Sequence, residues 1–340
     1  MARSNSLGFY MATRLLLTPV MLWLITTIVF FLLRATPGDP TDAILGPKAP
    51  PEVRELIRKE NGWDQPIWIQ YLSYFGSLLQ LNLGKSSITK ETVGEIIQSY
   101  FPATVELAVC SMAIALIVGI GIGALSASRA NSALDTAGRL FGIITYAIPL
   151  FWLGMVLQLI FSVQLGWFPL GTRFPTTLTP PDLKTGLYTI DSLLSGNLQQ
   201  FGTALYYLAL PAFSLGILIS GIFERIVRVN LKQTLQADYV EAARARGIPE
   251  RRILWNHAFR NTLIPVVTIL GLTLAAMLGG AILTEVTFSW PGLAKRLYEA
   301  ISQRDYAVVQ GLTVFFAAIV ALASIAIDII NAYIDPRIRY

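Results

Sequence analysis

Residues 15–33 read LLLTPVMLWLITTIVFFLL, a run that contains no charged side chain. A helix needs about 20 mostly apolar residues to cross the ~30 Å hydrocarbon core of a bilayer. The run is longer than the roughly 7–15-residue apolar region of a signal peptide, and no A-x-A-like cleavage site follows it. We therefore expect a retained membrane-spanning helix rather than a cleaved leader.

Five further stretches share this apolar character. They are residues 107–128, 140–163, 204–223, 263–284 and 306–333. The mean hydropathy of the chain is +0.57, and only 14% of its 340 residues are charged, too few to cover the surface of an ordinary soluble domain. The sequence therefore predicts an all-α polytopic membrane protein with six transmembrane helices in the lipid bilayer.

Basic residues in the short connections indicate the orientation of these helices. With six spans, one side of the membrane receives the basic segment 238–265 together with Arg3, Arg14, Arg129, Arg139, Arg337 and Arg339. The positive-inside rule makes that side the cytoplasm, so we expect both termini to be cytoplasmic. We divide the chain into residues 1–34, the N-terminus and first helix; 35–101, an extracytoplasmic segment; and 102–340, a five-helix core with a polar loop at 229–262.

The two long outer segments differ in pattern. In residues 35–101, Pro51 and Pro66 each precede apolar residues at helical spacing, which predicts two short amphipathic helices near the outer membrane surface. Residues 164–203 are rich in Pro, Thr and Gly, which favours irregular structure.

Small residues recur on one face of two spans and indicate close helix packing. Gly119 and Gly123 lie four residues apart in the second span, and Gly271, Ala275 and Gly279 repeat that spacing in the fifth. Small side chains let helix backbones approach closely in lipid, so the spans should form a bundle. The pattern leaves open whether these faces meet within the chain or meet another subunit.

Motifs for catalysis or cofactor binding are missing or out of context. "GKSS" at 84–87 lacks the earlier glycine of a phosphate-binding loop, and "GIGIGA" at 119–124 lies inside a span rather than after a strand. His257 is the only histidine and Cys110 the only cysteine, so neither a disulfide nor a His- or Cys-rich metal site is expected. H-E-x-x-H and G-x-S-x-G are absent. We predict no enzyme activity, no cofactor and no metal.

Ionisable residues in the spans bear on the alternative of an ion-coupled secondary carrier or a channel. Asp328, Glu285 and Glu106 are the candidates for a proton or cation relay. Each lies toward the end of a predicted span, where we interpret it as an interfacial carboxylate. The carrier remains the alternative function.

The basic segment 238–265, DYVEAARARGIPERRILWNHAFRNTLIP, predicts a helix, a glycine turn and a second helix. Tyr239, Ala242, Ala243 and Arg246 fall on one helical face, and Gly247 stands where a left-handed residue ends a helix. Proline in the first turn then begins the next helix, whose common face carries residues 253, 254, 257 and 258.

A basic helix-turn-helix can indicate DNA binding, but both ends of this one run directly into membrane spans, so no nucleic-acid partner is expected. A solvated loop that obeys the positive-inside rule would explain the arginines. It would not explain Ala242, Ala243 and Gly247, which create a flat surface that a partner can approach closely. We therefore favour docking to a partner.

The stretch "EAARARG" at 241–247 resembles the E-A-A-x-x-x-G signature of the membrane subunits of bacterial ATP-binding-cassette importers. Five further motifs resemble those of the dipeptide, oligopeptide and nickel permease branch: "PGDP" at 37–40, "NGWDQPIWIQY" at 61–71, "SWPGL" at 289–293, "RDYAVVQG" at 304–311 and "DPRIRY" at 335–340. The resemblance covers nearly the whole chain. The loop 229–262 then corresponds to the coupling loop of that family.

The resemblance implies an import function in the bacterial inner membrane. It implies a second homologous permease subunit, two cytoplasmic ATP-binding subunits and an extracytoplasmic solute-binding protein that delivers a peptide or similar small solute. It also implies that the ATPase docks on the coupling helix, at Tyr239, Glu241, Ala242, Ala243, Arg246, Gly247 and Ile248. The substrate, the residues that line its pathway and the role of residues 172–200 stay open.

Overall fold

The computed structural model describes residues 7–36, 39–46, 48–279 and 281–334. Within these ranges the regular secondary structure is helical, apart from an isolated antiparallel bridge between Lys85 and Thr92. The all-α prediction is confirmed. Arg3, Arg337, Arg339, Pro37 and Gly38 of "PGDP", and the terminal "DPRIRY" lie outside the described residues.

Five helices in the described ranges are long and apolar enough to cross a membrane. Two of these spans are α1, Leu7–Ala35, and α5, Val93–Ser128, and the helices between them are α2, Pro40–Leu45; α3, Pro51–Glu60; and α4, Ile67–Leu79. The predicted span 140–163 corresponds to a bent pair formed by α6, Ala133–Ala147, and α7, Leu150–Leu157, which continues into the π-helical turn π1, Gln158–Gln164. The prediction of an uninterrupted helix over 140–163 is therefore wrong.

Pro149 explains the bend of 100° between the two halves of this span. Proline has no backbone N–H and disfavours helical geometry at the residue before it. Ile148 is accordingly extended, with φ −77° and ψ 126°, and Pro149 caps the start of α7.

The C-terminal half contains the remaining helices. They are α8, Tyr188–Leu194; α9, Leu198–Thr234; α10, Asp238–Ala245; α11, Glu250–Arg252; the π-helical turn π2, Ile253–Ala258; α12, Phe259–Leu278; α13, Ile282–Thr287; α14, Leu293–Ser302; and α15, Tyr306–Ile334. Residues 250–278 form one continuous span. The predicted span 263–284 ends too late, because α12 stops at Leu278 and Glu285 belongs to the separate helix α13.

The core of the bundle is the packing of α5 against α9. A Cβ atom added at Gly119 would lie 2.5 Å from the carbonyl oxygen of Ser220, and one at Gly123 would lie 2.7 Å from that of Glu224. The fifth-span glycine Gly271 faces the side chain of Ile327 in α15 in the same way. The small-residue faces that the sequence left unassigned therefore meet within the chain.

The outer segments pack against the spans. The predicted amphipathic helices are α3 and α4, and the short helix α2 before them was not predicted. Tyr71 of α4 is fixed to α1, since its hydroxyl accepts a hydrogen bond from Trp23 Nε1 at 2.8 Å. The prediction of irregular structure holds for residues 165–187, but α8 and the beginning of α9 occupy most of the remainder up to residue 203.

Candidate functional site

The polar loop between α9 and the 250–278 span folds into two helices joined by a tight turn. Gly247 has φ +73°, a left-handed conformation that favours glycine. Its N–H donates to the carbonyl of Arg244 at 2.9 Å, and the N–H of Ile248 donates to that of Ala243 at 3.2 Å. These two bonds form a Schellman motif that ends α10, as the sequence predicts.

A small apolar cluster supports α10 from below. Val240, Ala243 and Ile253 are buried, and Leu235 and Ile248 pack against them. Since Ala243 lies in this cluster, the prediction that it shares an exposed face with Ala242 is wrong. Ala243 is about 100° around the helix from Ala242 and is directed toward Val240 and Ile253, whereas Ala242 faces solvent.

The outward face of α10 presents the other residues that the resemblance singled out. Tyr239, Glu241, Ala242, Arg246 and Gly247 are all exposed. No atom lies within 4 Å of a Cβ added at Gly247, so the surface is open there. The candidate docking surface is defined as these five residues, with Ala243 and Ile248 beneath it.

Two contacts fix the orientation of this surface. The hydroxyl of Tyr239 accepts a hydrogen bond from Asn261 Nδ2 at 2.9 Å, which ties α10 to the first turns of α12. Arg244 Nε donates to Glu250 Oε1 at 2.7 Å and thereby links α10 to α11. This hydrogen bond with Glu250 raises the pKa of the Arg244 guanidinium further above its ordinary value.

On the second helix, the structure buries Ile253 and Ala258 and leaves Leu254 and His257 half-buried. The predicted common face of residues 253, 254, 257 and 258 is thus the inner face, and it holds the second helix against the bundle.

A second polar cluster, which the sequence analysis missed, lies between α5 and the segment 165–197. We call it the outer clamp and define it as Glu106, Arg173 and Thr189. Both carboxylate oxygens of Glu106 are engaged: Oε2 accepts from Arg173 Nη2 at 2.7 Å and Oε1 accepts from the Thr189 N–H at 2.7 Å. Glu106 and Arg173 are both buried. Glu106 is therefore a buried, paired carboxylate, and its position relative to the membrane interface stays a prediction.

Glu285 is also buried. Its Oε1 accepts from the Thr104 hydroxyl at 2.6 Å, and its Oε2 accepts from the Lys295 N–H at 2.7 Å. Asp328, the third candidate for an ion relay, pairs with Arg14 at 3.1 Å. In the part of the chain that the structure describes, no group of three or more His, Cys, Asp or Glu residues could hold a metal ion.

The sequence matches a family of membrane transport components along most of its length. Residues 119–340 match the family described as binding-protein-dependent transport system inner membrane component. Residues 7–108 match the N-terminal membrane component of the same kind of system. The chain belongs to this family of inner membrane components.

Curated relatives narrow the branch. The dipeptide transport system permease protein DppB of Alkalihalophilus pseudofirmus is 36% identical over 98% of this chain and 100% of its own length. The di/tripeptide transport system permease protein DppB of Pseudomonas aeruginosa is 39% identical over 93% of this chain and 94% of its own. The oligopeptide transport system permease protein AppB of Bacillus subtilis is 35% identical over 97% and 99%.

These similarities confirm the resemblance to the peptide-permease branch of ATP-binding-cassette importers. The chain is a transport subunit rather than an enzyme, a multi-pass inner membrane protein that works within a transporter complex.

Proposed function

We propose that this chain forms half of the translocation pathway of an ATP-driven importer for peptides or similar small solutes. The other half comes from a second, homologous permease subunit. An extracytoplasmic solute-binding protein delivers the solute, and two cytoplasmic ATP-binding subunits supply the energy. The relatives are permease proteins of dipeptide, di/tripeptide and oligopeptide transport systems, which supports this choice of substrate class.

The docking surface on α10 is the observation that carries the coupling part of the proposal. This surface is exposed, carries only a small side chain at Ala242, and has no atom within 4 Å of a Cβ added at Gly247. The buried cluster of Val240, Ala243 and Ile253 holds it in place. A rigid helix that seats in the ATPase can transmit movement to the spans, because only residues 235–237 separate α10 from α9 and Asn261 links α10 to α12. ATP drives the cycle only through its different affinity for the two conformations.

The orientation that we propose places both termini and the coupling loop in the cytoplasm, with residues 35–101 outside. Basic residues support it, since Arg225, Arg228 and Lys232 extend α9 toward the coupling loop. A helix of 37 residues is about 55 Å long, well beyond the ~30 Å core, so this charged end can project into the cytoplasm.

Substitution of Gly247 tests the coupling role. In Gly247→Val, a β-branched residue must adopt a left-handed backbone conformation, which costs of order 1 kcal/mol or more in steric strain. The substitution also places a branched side chain on the docking surface. We expect normal membrane insertion, weaker co-purification of the ATPase subunits and loss of uptake in proteoliposomes.

Two control variants separate the causes. Gly247→Asn adds bulk at the surface, but Asn tolerates the left-handed conformation, so a defect there reports docking rather than backbone strain. Lys232→Ala, on the approach from α9, should leave coupling unchanged. Normal ligand-stimulated ATP hydrolysis in both Gly247 variants would refute the proposed docking role.

A further inference from the structure

A cavity of about 610 Å³ lies beside the irregular part of the segment 165–197. Apolar residues of the segment form part of its lining, and polar residues come from four parts of the fold: Gln158 of π1; Thr172, Thr176 and Thr177 of the segment; Tyr207 of α9; and Thr287 at the end of α13 with Ser289 just after it. Its volume falls within the roughly 300–1,000 Å³ of ligand pockets. Among the described residues that line it, none is charged.

The cavity lies toward one end of the spans that line it. Tyr207 lies about 14 Å from the first residue of α9, and Gln158 begins the last turns of its span, so the cavity is near the membrane ends that the proposed orientation places outside. Non-helical backbone at membrane depth is tolerated only where it is buried in protein or lines water. π-helical turns such as π1 are also frequent at functional sites.

The cavity wall is held in place by buried interactions. The N–H of Thr172 donates to the carbonyl of Phe288 at 3.0 Å. The next residue, Arg173, is buried in the outer clamp on Glu106, and Phe174 is buried against Tyr188 at a ring distance of 5.7 Å. Residues 173 and 174 therefore anchor the segment, while Thr172 and the threonines after them line the cavity.

Gln158 shows which chemistry the cavity offers. Its Nε2 donates to the carbonyls of Leu170 at 2.6 Å and Thr287 at 3.1 Å, which uses both amide hydrogens. Its Oε1 then remains as an acceptor, and it receives no hydrogen bond from the described residues. The threonine, serine and tyrosine hydroxyls around it can donate or accept.

This lining suits uncharged amide groups. A peptide bond presents one donor and one acceptor, which the cavity can satisfy with Gln158 Oε1 and a hydroxyl. A carboxylate or ammonium group would lose hydration here without gaining an opposite charge, which is costly.

We propose that this cavity is an outer subsite of the translocation pathway that takes the backbone amides of a peptide and leaves its charged termini outside. The proposal rests on the proposed function and assigns the part of the substrate that this chain recognises.

Tyr207→Phe tests the subsite with the loss of a single hydroxyl. In the complete complex in proteoliposomes, with saturating binding protein loaded with tri-alanine, we expect uptake to fall about threefold to tenfold, the effect of one neutral hydrogen bond. Tyr206→Phe is the matched control, because Tyr206 is the neighbouring tyrosine outside the cavity and its ring contact with Phe168 needs no hydroxyl. Equal uptake by both variants would overturn the proposal.

A labelling experiment tests the ligand chemistry directly. Cys110 is the only cysteine, so a Cys110→Ala/Thr177→Cys chain carries one thiol at the cavity. We expect tri-alanine and N-acetyl-tri-alanine amide to protect this thiol from a maleimide equally, and acetate or propylammonium not to protect it. Protection by the charged probes alone, or by none of the four, would refute the subsite. If the wild-type complex fails to take up any peptide, the proposed function itself is wrong.

Discussion

Removal of the Glu106 charge should release the segment 165–197 from the bundle. Glu106 accepts hydrogen bonds from Arg173 Nε at 2.9 Å and Nη2 at 2.7 Å, and from both the N–H and the hydroxyl of Thr189 at 2.7 Å. The side chains of Glu106 and Arg173 are only 3% and 6% exposed, so water cannot replace the lost partner. Glu106→Gln keeps an oxygen for Thr189 but directs an NH₂ group at the guanidinium of Arg173.

The size of the effect follows from the burial of the pair. Loss of one member of a buried ion pair costs ~3–5 kcal/mol, because the remaining charge is left uncompensated. Arg173 keeps its hydrogen bond to the Gly186 carbonyl at 2.7 Å and its stacking on Tyr188 at 3.8 Å. We therefore expect the lower end, about 3 kcal/mol, which makes local opening of the segment roughly 100-fold more frequent.

Amide hydrogen exchange measures this opening. The N–H of Thr189 donates to Glu106 of α5, so its exchange reports on the release of the segment from the bundle. The N–H groups of Thr185 and Gly186 donate to Asp191 within the segment, so their exchange reports on its internal structure. The double variant Glu106→Gln/Arg173→Gln removes both charges and should exchange more slowly than the sum of the single variants implies. Unchanged exchange in Glu106→Gln, or strictly additive effects, would refute the clamp.

Two further predictions concern packing and orientation. Gly119→Leu should destabilise the purified complex by ~1–3 kcal/mol or more and lower its thermal unfolding midpoint, because the added Cβ would lie 2.5 Å from the carbonyl oxygen of Ser220. Gly121→Leu should leave the midpoint unchanged, because no atom lies within 4 Å of a Cβ added there. Equal midpoints for the two variants would contradict the α5–α9 packing. In a Cys110→Ala background, an impermeant maleimide added to intact cells should label Glu91→Cys but not Gln236→Cys, although both positions are exposed. Labelling of Gln236→Cys alone, or equal labelling of both, would refute the proposed orientation.

Local features of the chain could be predicted from the sequence. Hydropathy located five long apolar helices and the bent pair of α6 and α7, because a bilayer imposes a length of about 20 apolar residues on each span. The end of α10 was also predictable, since the left-handed conformation at Gly247 depends on neighbouring residues alone. The 100° bend had a signal in Pro149, but hydropathy over a window cannot separate a straight span from two half-helices.

The side-chain partners of buried charges were harder to predict, because they depend on contacts distant in sequence. The burial of Ala243 depends on a distant contact in the same way. The sequence placed Ala243 on the docking face, and its packing against Ile253 of the next helix shows that it is buried. The cavity shows the same limit, since Gln158, Tyr207 and Ser289 come from three separate segments.

Isolated opposite charges offer a signal that could have located the outer clamp. Glu106 is the only charged residue between positions 96 and 128, and Arg173 is the only one between 140 and 181. A lone charge in an apolar stretch is costly unless it is paired, so two such residues of opposite sign near the same membrane face should be expected to meet. Glu285 limits the rule, because a hydroxyl and a backbone N–H satisfy it instead of a basic side chain. The signal therefore predicts that a buried carboxylate has donors, and it identifies the donor only where a single isolated cation is within reach.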